Sequence, residues 1–289
     1  MEFVTKELIT AGWSHDIKYK AVGADGNTYF LRVYPDGDFE RHKQEFDLMH
    51  TVESYGVPMA RALELGVEDG LPYIVTEWID GDIAETVIPK MPKEKAYEYG
   101  KKAGEYLKLI HKIPAPINCE PWKDRFSRQL DNRLDLYASC KYKYENGSLF
   151  YAYCLDNREL FLDRPQCMHH GDYHVGNMMM DRNVELKIID FNRFDHGDPF
   201  KEFNRIAWSA QCSGDFATGL VDGYFGGEAP EEFWKLLLLY LSSNILGSLP
   251  WAVPYGEEEI KTMRRQAADI LEWYAFFYRN VPSWYRKNY

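Results

Sequence analysis

Three side chains with oxygen donors stand out near the middle of the sequence. Asp172 and Asn177 lie five residues apart, and Asp190 follows thirteen residues after Asn177. A carboxylate can orient a hydroxyl group and accept its proton, and carboxylate and amide oxygens are ligands that Mg²⁺ prefers. One loop could therefore supply both a general base and a metal ligand, and a second carboxylate could complete the metal site.

The elements around these residues explain how they could meet. The stretch from Gln166 to Pro199 is non-helical, and within it Glu185 to Ile189 forms a short apolar strand that ends at Asp190. Asn183 lies in the turn before this strand, so the pattern predicts a loop followed by a β-hairpin. A hairpin brings Asp190 beside Asn177, on the opposite side of a metal ion. Phosphoryl transfer needs such a set, because its catalysis depends on positioning and charge neutralisation.

The first 80 residues have the pattern of a small sheet with one helix. Asp-Gly turns at residues 25–26 and 69–70 join two pairs of strands. The predicted strands are Glu7 to Trp13, Asp16 to Val22, Thr28 to Tyr34, Ala62 to Glu68 and Tyr73 to Trp78, with a helix over Phe39 to Tyr55. This α+β pattern predicts a small N-terminal lobe of residues 1–80.

Residues 81–289 have the apolar periodicity of long helices, and they are predicted to form a second, larger lobe. One helix has a packing stripe of Ala96, Gly100, Ala103, Leu107 and Ile110. The predicted helices are Glu94 to His111, Trp122 to Tyr137, Glu231 to Leu246 and Glu257 to Tyr278. This lobe is expected to carry the catalytic loop, and the helices around residues 120–165 and 205–275 are expected to wall an acceptor site.

The motifs resemble those of the aminoglycoside phosphotransferase and choline kinase superfamily. The matching residues are His170-Gly171-Asp172, Asn177, Ile189-Asp190 and Gly197-Asp198-Pro199. The resemblance implies a protein-kinase-like two-lobed fold, with an N-terminal five-stranded antiparallel sheet carrying one helix and a larger helical C-terminal lobe. It also implies ATP or GTP as phosphoryl donor with Mg²⁺. By it, Asp172 is the catalytic base, Asn177 and Asp190 are the Mg²⁺ ligands, and His170 is structural.

The resemblance further implies that the lobe of residues 1–80 binds the nucleotide, and it indicates which residues would do so. Gly12 and Ser14 would form a turn over the phosphates, although no G-x-G-x-x-G or P-loop motif is present. Arg32 on the third strand would bind the α- and β-phosphates, where protein kinases have Lys, because a guanidinium binds phosphate bidentately. A helix carboxylate would steady Arg32, either Glu45, the favoured candidate, or Glu40.

The fifth strand resembles the hinge that receives a purine. There the carbonyl of Glu77 and the amide of Ile79 would bind the base, with Thr76 behind it. Because these contacts use the backbone, the side chains do not distinguish ATP from GTP.

Three features depart from the patterns of related kinases, and they bear on the expected metal ligands and on the kind of substrate. Asn192 occupies a position where relatives often have a carboxylate, and Glu202 follows the G-D-P motif where an Asp is common. Asp198 and Glu202 are interpreted as structural, as are His169 and His174. No segment ending in A-P-E is present, which argues against a protein substrate.

Composition excludes some partners and compartments. The formal net charge of −11 argues against nucleic acid, which requires a basic face, and it is compatible with a cationic acceptor. Five cysteines without C-x-x-C spacing favour a reducing compartment. The N-terminus lacks the features of a signal peptide, and the apolar stretch Trp234 to Val253 is too interrupted to span a membrane. A cytoplasmic location is expected.

The acceptor is the least determined part of the prediction. A hydroxyl on a small, cationic molecule is favoured, with an aminoglycoside antibiotic first. Choline, ethanolamine, homoserine and a sugar are the metabolic alternatives. A nucleotide-binding pseudokinase is a third possibility, although the joint presence of Asp172, Asn177 and Asp190 argues against it. A protein kinase ranks last, and the sequence does not indicate the oligomeric state.

Overall fold

A five-stranded antiparallel sheet forms the N-terminal part of the chain. In the computed structural model, which describes residues 1–10 and 15–286, the strand order in the sheet is β1-β2-β3-β5-β4. The Asp-Gly turns form as expected, with positive φ at Gly26 and Gly70. The strands are β1 (Phe3–Ile9), β2 (Ile17–Gly23), β3 (Thr28–Val33), β4 (Ala62–Glu68) and β5 (Leu71–Glu77).

One helix, α1 (Phe39–Ser54), crosses between β3 and β4. Asp38 caps its N-terminus, where the side chain accepts a hydrogen bond from the amide of Arg41 at 3.1 Å. Met49 and Val52 on α1 are buried in the same apolar core as the helices that follow. The helix therefore connects the sheet to the rest of the protein.

The C-terminal part is mainly helical and surrounds the segment that carries the motifs. Its helices are α2 (Ala84–Val87), α3 (Lys93–Ile110), α4 (Trp122–Ser139), α5 (Gly147–Asp156), α6 (Ile206–Cys212), α7 (Gly214–Phe225), α8 (Glu231–Ala252) and α9 (Glu257–Trp273). Within the motif segment, β8 (Met178–Asp181) pairs with β9 (Leu186–Ile188) and with β6 (Gly81–Ile83). A second ladder pairs β7 (Cys167–His169) with β10 (Asp195–Gly197). The α+β architecture with a five-stranded antiparallel sheet is the one expected from the sequence.

Helix α8 is long and consists mostly of apolar residues. By length and composition it could cross a membrane, but 72% of its most apolar stretch is buried inside the protein. Leu236, Leu239 and Leu246 on this helix have no exposed surface. Core helices of globular proteins commonly have this composition.

Several boundaries differ from the sequence prediction. The first strand is Phe3–Ile9 rather than Glu7 to Trp13, because it pairs with β2 from Phe3↔Gly23 to Ile9↔Lys18. Its residues are mostly exposed, so an edge strand of this kind has little apolar alternation to reveal it. Helix α8 continues to Ala252, six residues beyond the prediction.

Helix α9 ends at Trp273 rather than at Tyr278. Ala275, Phe276 and Phe277 all have positive φ, which is incompatible with a right-handed helix. The predicted division of the chain near residue 80 falls between β5 and β6. That division into two domains stays a prediction.

Helices α3 and α7 pack with their backbones in close contact. A Cβ atom at Gly104 of α3 would lie 2.2 Å from the carbonyl oxygen of Leu220 on α7. A Cβ atom at Gly223 of α7 would lie 2.1 Å from the carbonyl oxygen of Lys101 on α3. Glycine is therefore required on both faces of this contact.

We expect Gly104→Ala to lower the free energy of unfolding by about 1–3 kcal/mol, because the added methyl group forces the two backbones apart. Urea denaturation followed by circular dichroism measures the change. Lys108→Ala, an exposed site on the same helix, is the control and should stay within about 0.5 kcal/mol of the wild type. Equal stability of the two variants would contradict the close packing of α3 and α7.

Candidate active site

The histidine of the His170-Gly171-Asp172 motif joins two parts of the site. Its Nε2 donates a hydrogen bond to the carbonyl oxygen of Ile189 at 2.9 Å. Its Nδ1 accepts one from the amide of Asp172 at 3.3 Å. Both ring nitrogens are used and the side chain is fully buried. His170 therefore fixes the loop of Asp172 to the strand that leads into Asp190, which is the structural role expected for it.

Gly171 has a conformation and a contact that only glycine permits. Its φ is +88°, and a Cβ atom there would lie 1.8 Å from the carbonyl oxygen of Arg193. Its amide donates to the carboxylate of Glu202 at 3.0 Å. The catalytic loop thus lies directly against the turn at residues 191–193, so that Asp172 and Arg193 become neighbours.

Glu202 is a buried carboxylate that anchors this loop from behind. Burial by itself would raise its pKa, but the favourable interaction with His111 and His169 outweighs burial and lowers the pKa to about 2. The Nε2 atom of His111 lies 3.8 Å from Oε2 of Glu202. Glu202 is therefore ionised at neutral pH and stays available to the amide of Gly171. It has no exposed face toward a substrate, in line with a structural role.

Asp198 of the G-D-P motif is also held inside the protein. Its carboxylate accepts hydrogen bonds from Arg164 Nε at 2.9 Å, from the hydroxyl of Tyr240 at 2.6 Å and from the amide of Phe200 at 3.0 Å. Burial raises its pKa despite these contacts. With no exposed surface, Asp198 supports the fold and does not face a ligand.

Asp172 lies at the edge of the site with 16% of its side chain exposed. Two arginines contact its carboxylate: Arg205 Nε at 3.0 Å from Oδ1 and Arg193 Nη1 at 3.4 Å from Oδ2. Neither arginine was singled out from the sequence. Both come from segments that follow the motifs, and no spacing rule connects them to Asp172.

His174 lies on another side of Asp172, with Nε2 3.9 Å from Oδ1. Burial lowers the pKa of His174 to about 4, with Arg205 adding to the effect and Asp172 opposing it. Its Nδ1 accepts from the amide of Gly176 at 3.1 Å, so the proton of the neutral ring is on Nε2. The ring is therefore a neutral neighbour of Asp172 at pH 7.

Asn177 and Asp190 are brought next to each other by backbone pairing. The carbonyl of Asn177 accepts from the amide of Ile189 at 3.1 Å, so Asp190 directly follows the point of contact. The Asn177 side chain donates through Nδ2 to the carbonyl of Asp172 at 2.9 Å, which leaves its amide oxygen for another partner. Asp190 has φ +69°, a strained backbone for a non-glycine residue. These contacts bring together the three residues singled out from the sequence.

Arg32 links Asp190 to the N-terminal sheet. Its Nη1 donates to Oδ1 of Asp190 at 2.6 Å, and its Nε donates to Oδ2 of Asp16 at 2.8 Å. Burial would raise the pKa of Asp190, but the guanidinium of Arg32 outweighs it and the pKa is lowered. Lys18 on β2 pairs in register with Arg32 and also favours the ionised Asp190. Sequence reasoning missed Asp16 and Lys18.

The expected partner of Arg32 has other contacts. Among the described residues no ion pair joins Arg32 to Glu45, and Oε2 of Glu45 instead lies 3.4 Å from Nδ1 of His42. The ring of Tyr34 stacks on His42 at 3.5 Å and lies 5.7 Å from the guanidinium of Arg32. Tyr34 thus occupies the space between the strand and the helix. Glu40, the alternative candidate, is exposed.

At the predicted hinge, the carbonyl of Glu77 accepts a hydrogen bond from the hydroxyl of Thr76 at 3.2 Å. Glu77 ends β5, and its side chain pairs with Arg61 through Nε at 2.7 Å, away from its own carbonyl. Ile79 is half-buried, and its amide makes no hydrogen bond within residues 1–10 and 15–286. Thr76 is buried behind them. The turn that contains Gly12 and Ser14 lies outside the described residues.

A second group of possible metal ligands lies near Glu202, behind the catalytic loop. One nitrogen each from His111 and His169 and the sulfur of Cys167 lie within 4.8 Å of one another. These are nitrogen and sulfur donors, whereas Mg²⁺ prefers oxygen. Asn177 and Asp190 therefore offer the better donors for Mg²⁺.

Replacing Glu202 with Gln should remove the pH-dependent part of its contribution to stability. The pKa of Glu202 in the folded protein, about 2, lies below its ordinary value near 4.5, so the ionised carboxylate stabilises the native state at pH values above about 4.5. We expect Glu202→Gln to be less stable than the wild type at pH 7, with the difference shrinking as pH falls from about 4.5 toward 2. Urea denaturation at several pH values measures it. A difference that does not depend on pH would contradict the ionised state of Glu202.

The chain is similar in sequence to one protein family and in structure to several solved proteins. The profile of the phosphotransferase enzyme family matches residues 6–234. A choline/ethanolamine kinase family protein from Mesorhizobium loti has a similar structure, with a TM-score of 0.68 at 17% identity over 94% of this chain and 90% of that one. No curated protein matches the chain by sequence.

Two antibiotic-modifying enzymes are also structurally similar. A thermostable mutant of an aminoglycoside phosphotransferase, in complex with ADP and hygromycin B, gives a TM-score of 0.65 at 17% identity, over 92% of each chain. A spectinomycin phosphotransferase with ADP and spectinomycin gives 0.61 at 12% identity, over 93% of this chain and 90% of that one. At these low sequence identities, the structural similarity shows a shared fold and nothing more specific. Because the family profile covers more than half of the sequence, the chain belongs to the phosphotransferase enzyme family.

Proposed function

We propose that this phosphotransferase moves the γ-phosphoryl group of ATP or GTP to a hydroxyl group of a small molecule. The main support is the connection made by His170, which holds the Asp172 loop against the strand leading into Asp190. In this proposal Asp172 orients the acceptor hydroxyl and takes its proton. The two arginines at its carboxylate keep that carboxylate in position.

The nucleotide would lie between the sheet and the helical part. The carbonyl of Glu77 and the amide of Ile79 would receive the purine, and Arg32 and Ser14 would bind the phosphates. Glu45 would act on Arg32 only indirectly. Its carboxylate lies next to His42, the ring of Tyr34 stacks on His42, and the guanidinium of Arg32 lies over the ring of Tyr34. The lack of another partner for the amide of Ile79 among the described residues supports the hinge assignment.

The donor atoms near Asp172 fit a magnesium ion. Asn177 directs its Nδ2 to a carbonyl, so its amide oxygen is available, and Asp190 has one carboxylate oxygen on Arg32 and a second that can bind a metal. These two residues would hold Mg²⁺, which would neutralise charge on the nucleotide phosphates. Position 192, where relatives often have a carboxylate, is Asn in this chain, so it adds no further carboxylate to the metal site.

The acceptor class has several candidates within this proposal. An aminoglycoside is the first to test, because structurally similar proteins are bound to hygromycin B and spectinomycin. Choline, ethanolamine, homoserine and sugars follow. A coupled assay of ADP release, run over this panel with ATP and GTP compared, identifies the acceptor. Release no faster than with water for every compound would favour a nucleotide-binding pseudokinase instead. The cytoplasmic location stays a prediction.

Asp172→Asn should lower the rate of phosphoryl transfer by about 100-fold or more, because the amide cannot accept the hydroxyl proton. Binding of ATP should remain close to that of the wild type, since Asp172 does not contact the nucleotide in this proposal. Kinetic assays and calorimetric nucleotide titrations measure the two quantities. Asp135→Asn on the exposed surface of α4 is the control. Normal turnover in Asp172→Asn would refute the assignment of the base.

Asp190→Asn should raise the Mg²⁺ concentration needed for half-maximal activity, because an amide is a weaker ligand for a hard cation than a carboxylate. The stabilisation of the protein by ADP, followed as a thermal shift, should also lose much of its dependence on Mg²⁺. Asp47→Asn, at an exposed position on α1, provides the comparison. An unchanged Mg²⁺ requirement would exclude Asp190 as a metal ligand.

A further inference from the structure

A group of basic side chains lies in the helical part of the protein, and some of its members contact Asp172. Arg193 and Arg205 contact Asp172 itself. Arg125 and Arg133 come from α4, and Lys201 comes from the turn before α6. The concentration of positive charge is unexpected in a chain with a net charge of −11.

Only part of this positive charge is neutralised by the protein. Arg125 pairs with Asp195 at 2.6 Å, and Asp172 is shared by Arg193 and Arg205. Arg133 contacts a neutral partner, the hydroxyl of Ser243, at 2.8 Å. Within the described residues, neither Arg133 nor Lys201 forms an ion pair with a carboxylate. Neither of these two cations therefore has a carboxylate in direct ionic contact.

These cations also lie close enough to affect each other. Burial lowers the pKa of Arg133 to about 10, and the charge of Arg205 contributes to the shift. Burial likewise lowers the pKa of Lys201, with Arg133 and Arg205 lowering it further and Glu202 and Asp195 opposing them. The three basic groups thus share one region and repel each other there.

Several hydrogen-bond donors in this region have no acceptor. The buried Nε and Nη2 atoms of Arg125 make no hydrogen bond within the described part of the chain. The buried Nε of Arg205 lies 3.0 Å from Oδ1 of Asp172, but without the geometry of a hydrogen bond. Buried donors normally have partners, and a buried cation without a counterion is costly. An anionic group placed among these side chains would supply both the missing charge and the missing acceptors.

We propose that the acceptor carries an anionic group, a carboxylate or a phosphate, which Arg133, Lys201 and Arg205 bind while its hydroxyl faces Asp172. This inference rests on the proposed phosphotransferase function and concerns the same site. The hydroxyl oxygen forms a bond to the γ-phosphorus, the bond from that phosphorus to the bridging oxygen breaks, and the proton goes to Asp172. The products are the nucleoside diphosphate and a phosphate ester that still bears the anionic group.

The proposal changes the ranking of the acceptors. Homoserine carries a carboxylate, whereas aminoglycosides, choline, ethanolamine and neutral sugars have no anionic group. A cationic group elsewhere on the acceptor is compatible with the site, but a cation at Arg133 and Lys201 is not. The acceptor expected from the sequence was a cationic molecule. The proposal replaces it with a molecule that carries an anionic group.

Matched pairs of probes test the proposal directly. The pairs are L-homoserine with 3-aminopropan-1-ol, carnitine with choline, and glycerol 3-phosphate with glycerol. For any pair that is phosphorylated, kcat/KM should be roughly 30-fold or more higher for the anionic member. Equal or faster turnover of the members without an anionic group would overturn the proposal while leaving the phosphotransferase function intact.

A binding measurement covers the case in which none of these probes is phosphorylated. With the protein saturated by ADP and Mg²⁺, malonate, orthophosphate and glycerol 3-phosphate are titrated while the thermal midpoint is followed. At least one of these anions should raise the midpoint of the wild type. The effect should be lost in Lys201→Gln and in Arg133→Gln. Absence of any shift, or an equal shift in these variants that indicates an adventitious ion only, would overturn the proposal.

Matched variants separate binding of the anion from support of the fold. Lys201→Gln and Arg133→Gln should reduce the preference for the anionic member of a pair, mainly through KM, and Lys201→Arg should restore it. The controls on α4 are Lys123→Gln and Arg128→Gln, which are exposed. A purely structural role would lower turnover of both members equally. If no compound is phosphorylated but the anion effect depends on Lys201, the phosphotransferase function fails and the anion site stands.

Discussion

The site depends on one imidazole that hydrogen-bonds to two separate segments. Through its two nitrogens His170 bonds the amide of Asp172 and the carbonyl of Ile189. Asp172 in its loop and Ile189 at the strand end, seventeen positions apart in the sequence, therefore keep a fixed distance from each other. Because the ring is fully buried, water does not compete for these bonds. Any motion of Asp172 relative to Asp190 has to break one of them.

The second constraint acts between the sheet and the helical part. Arg32 on β3 binds Asp190, so the ionic contact at the seam also fixes the proposed metal ligand. The left-handed backbone of Asp190 costs about 1–2 kcal/mol. The ion pair with Arg32 and the backbone bond between Ile189 and Asn177 hold that conformation in place. The strained backbone of Asp190 thus goes together with the contact between its carboxylate and Arg32.

The sequence predicted best what is encoded locally. Asp172, Asn177 and Asp190 meet because a loop and a hairpin of fixed length join them, and such spacing can be read directly. The proposed pairing of Arg32 with Glu45 depends instead on how α1 packs on the sheet. There Tyr34 stacks on His42 and fills the gap, a packing outcome that residue spacing does not reveal. Arg193 and Arg205 were missed for the same reason, since only the folded chain brings them to Asp172.

The contrast between net charge and local charge explains the change in the expected acceptor. Net charge sums over the whole surface, to which exposed carboxylates such as Glu257 and Glu258 contribute. Exposed charges are screened over about 8–10 Å in physiological salt, so they have little influence inside a half-buried site. There the nearby side chains dominate. Arg133 contacts the neutral hydroxyl of Ser243, and the carboxylates of Glu202 and Asp195 oppose the lowering of the Lys201 pKa without outweighing it. A ligand meets this local charge, and the local charge therefore determines which acceptor is bound.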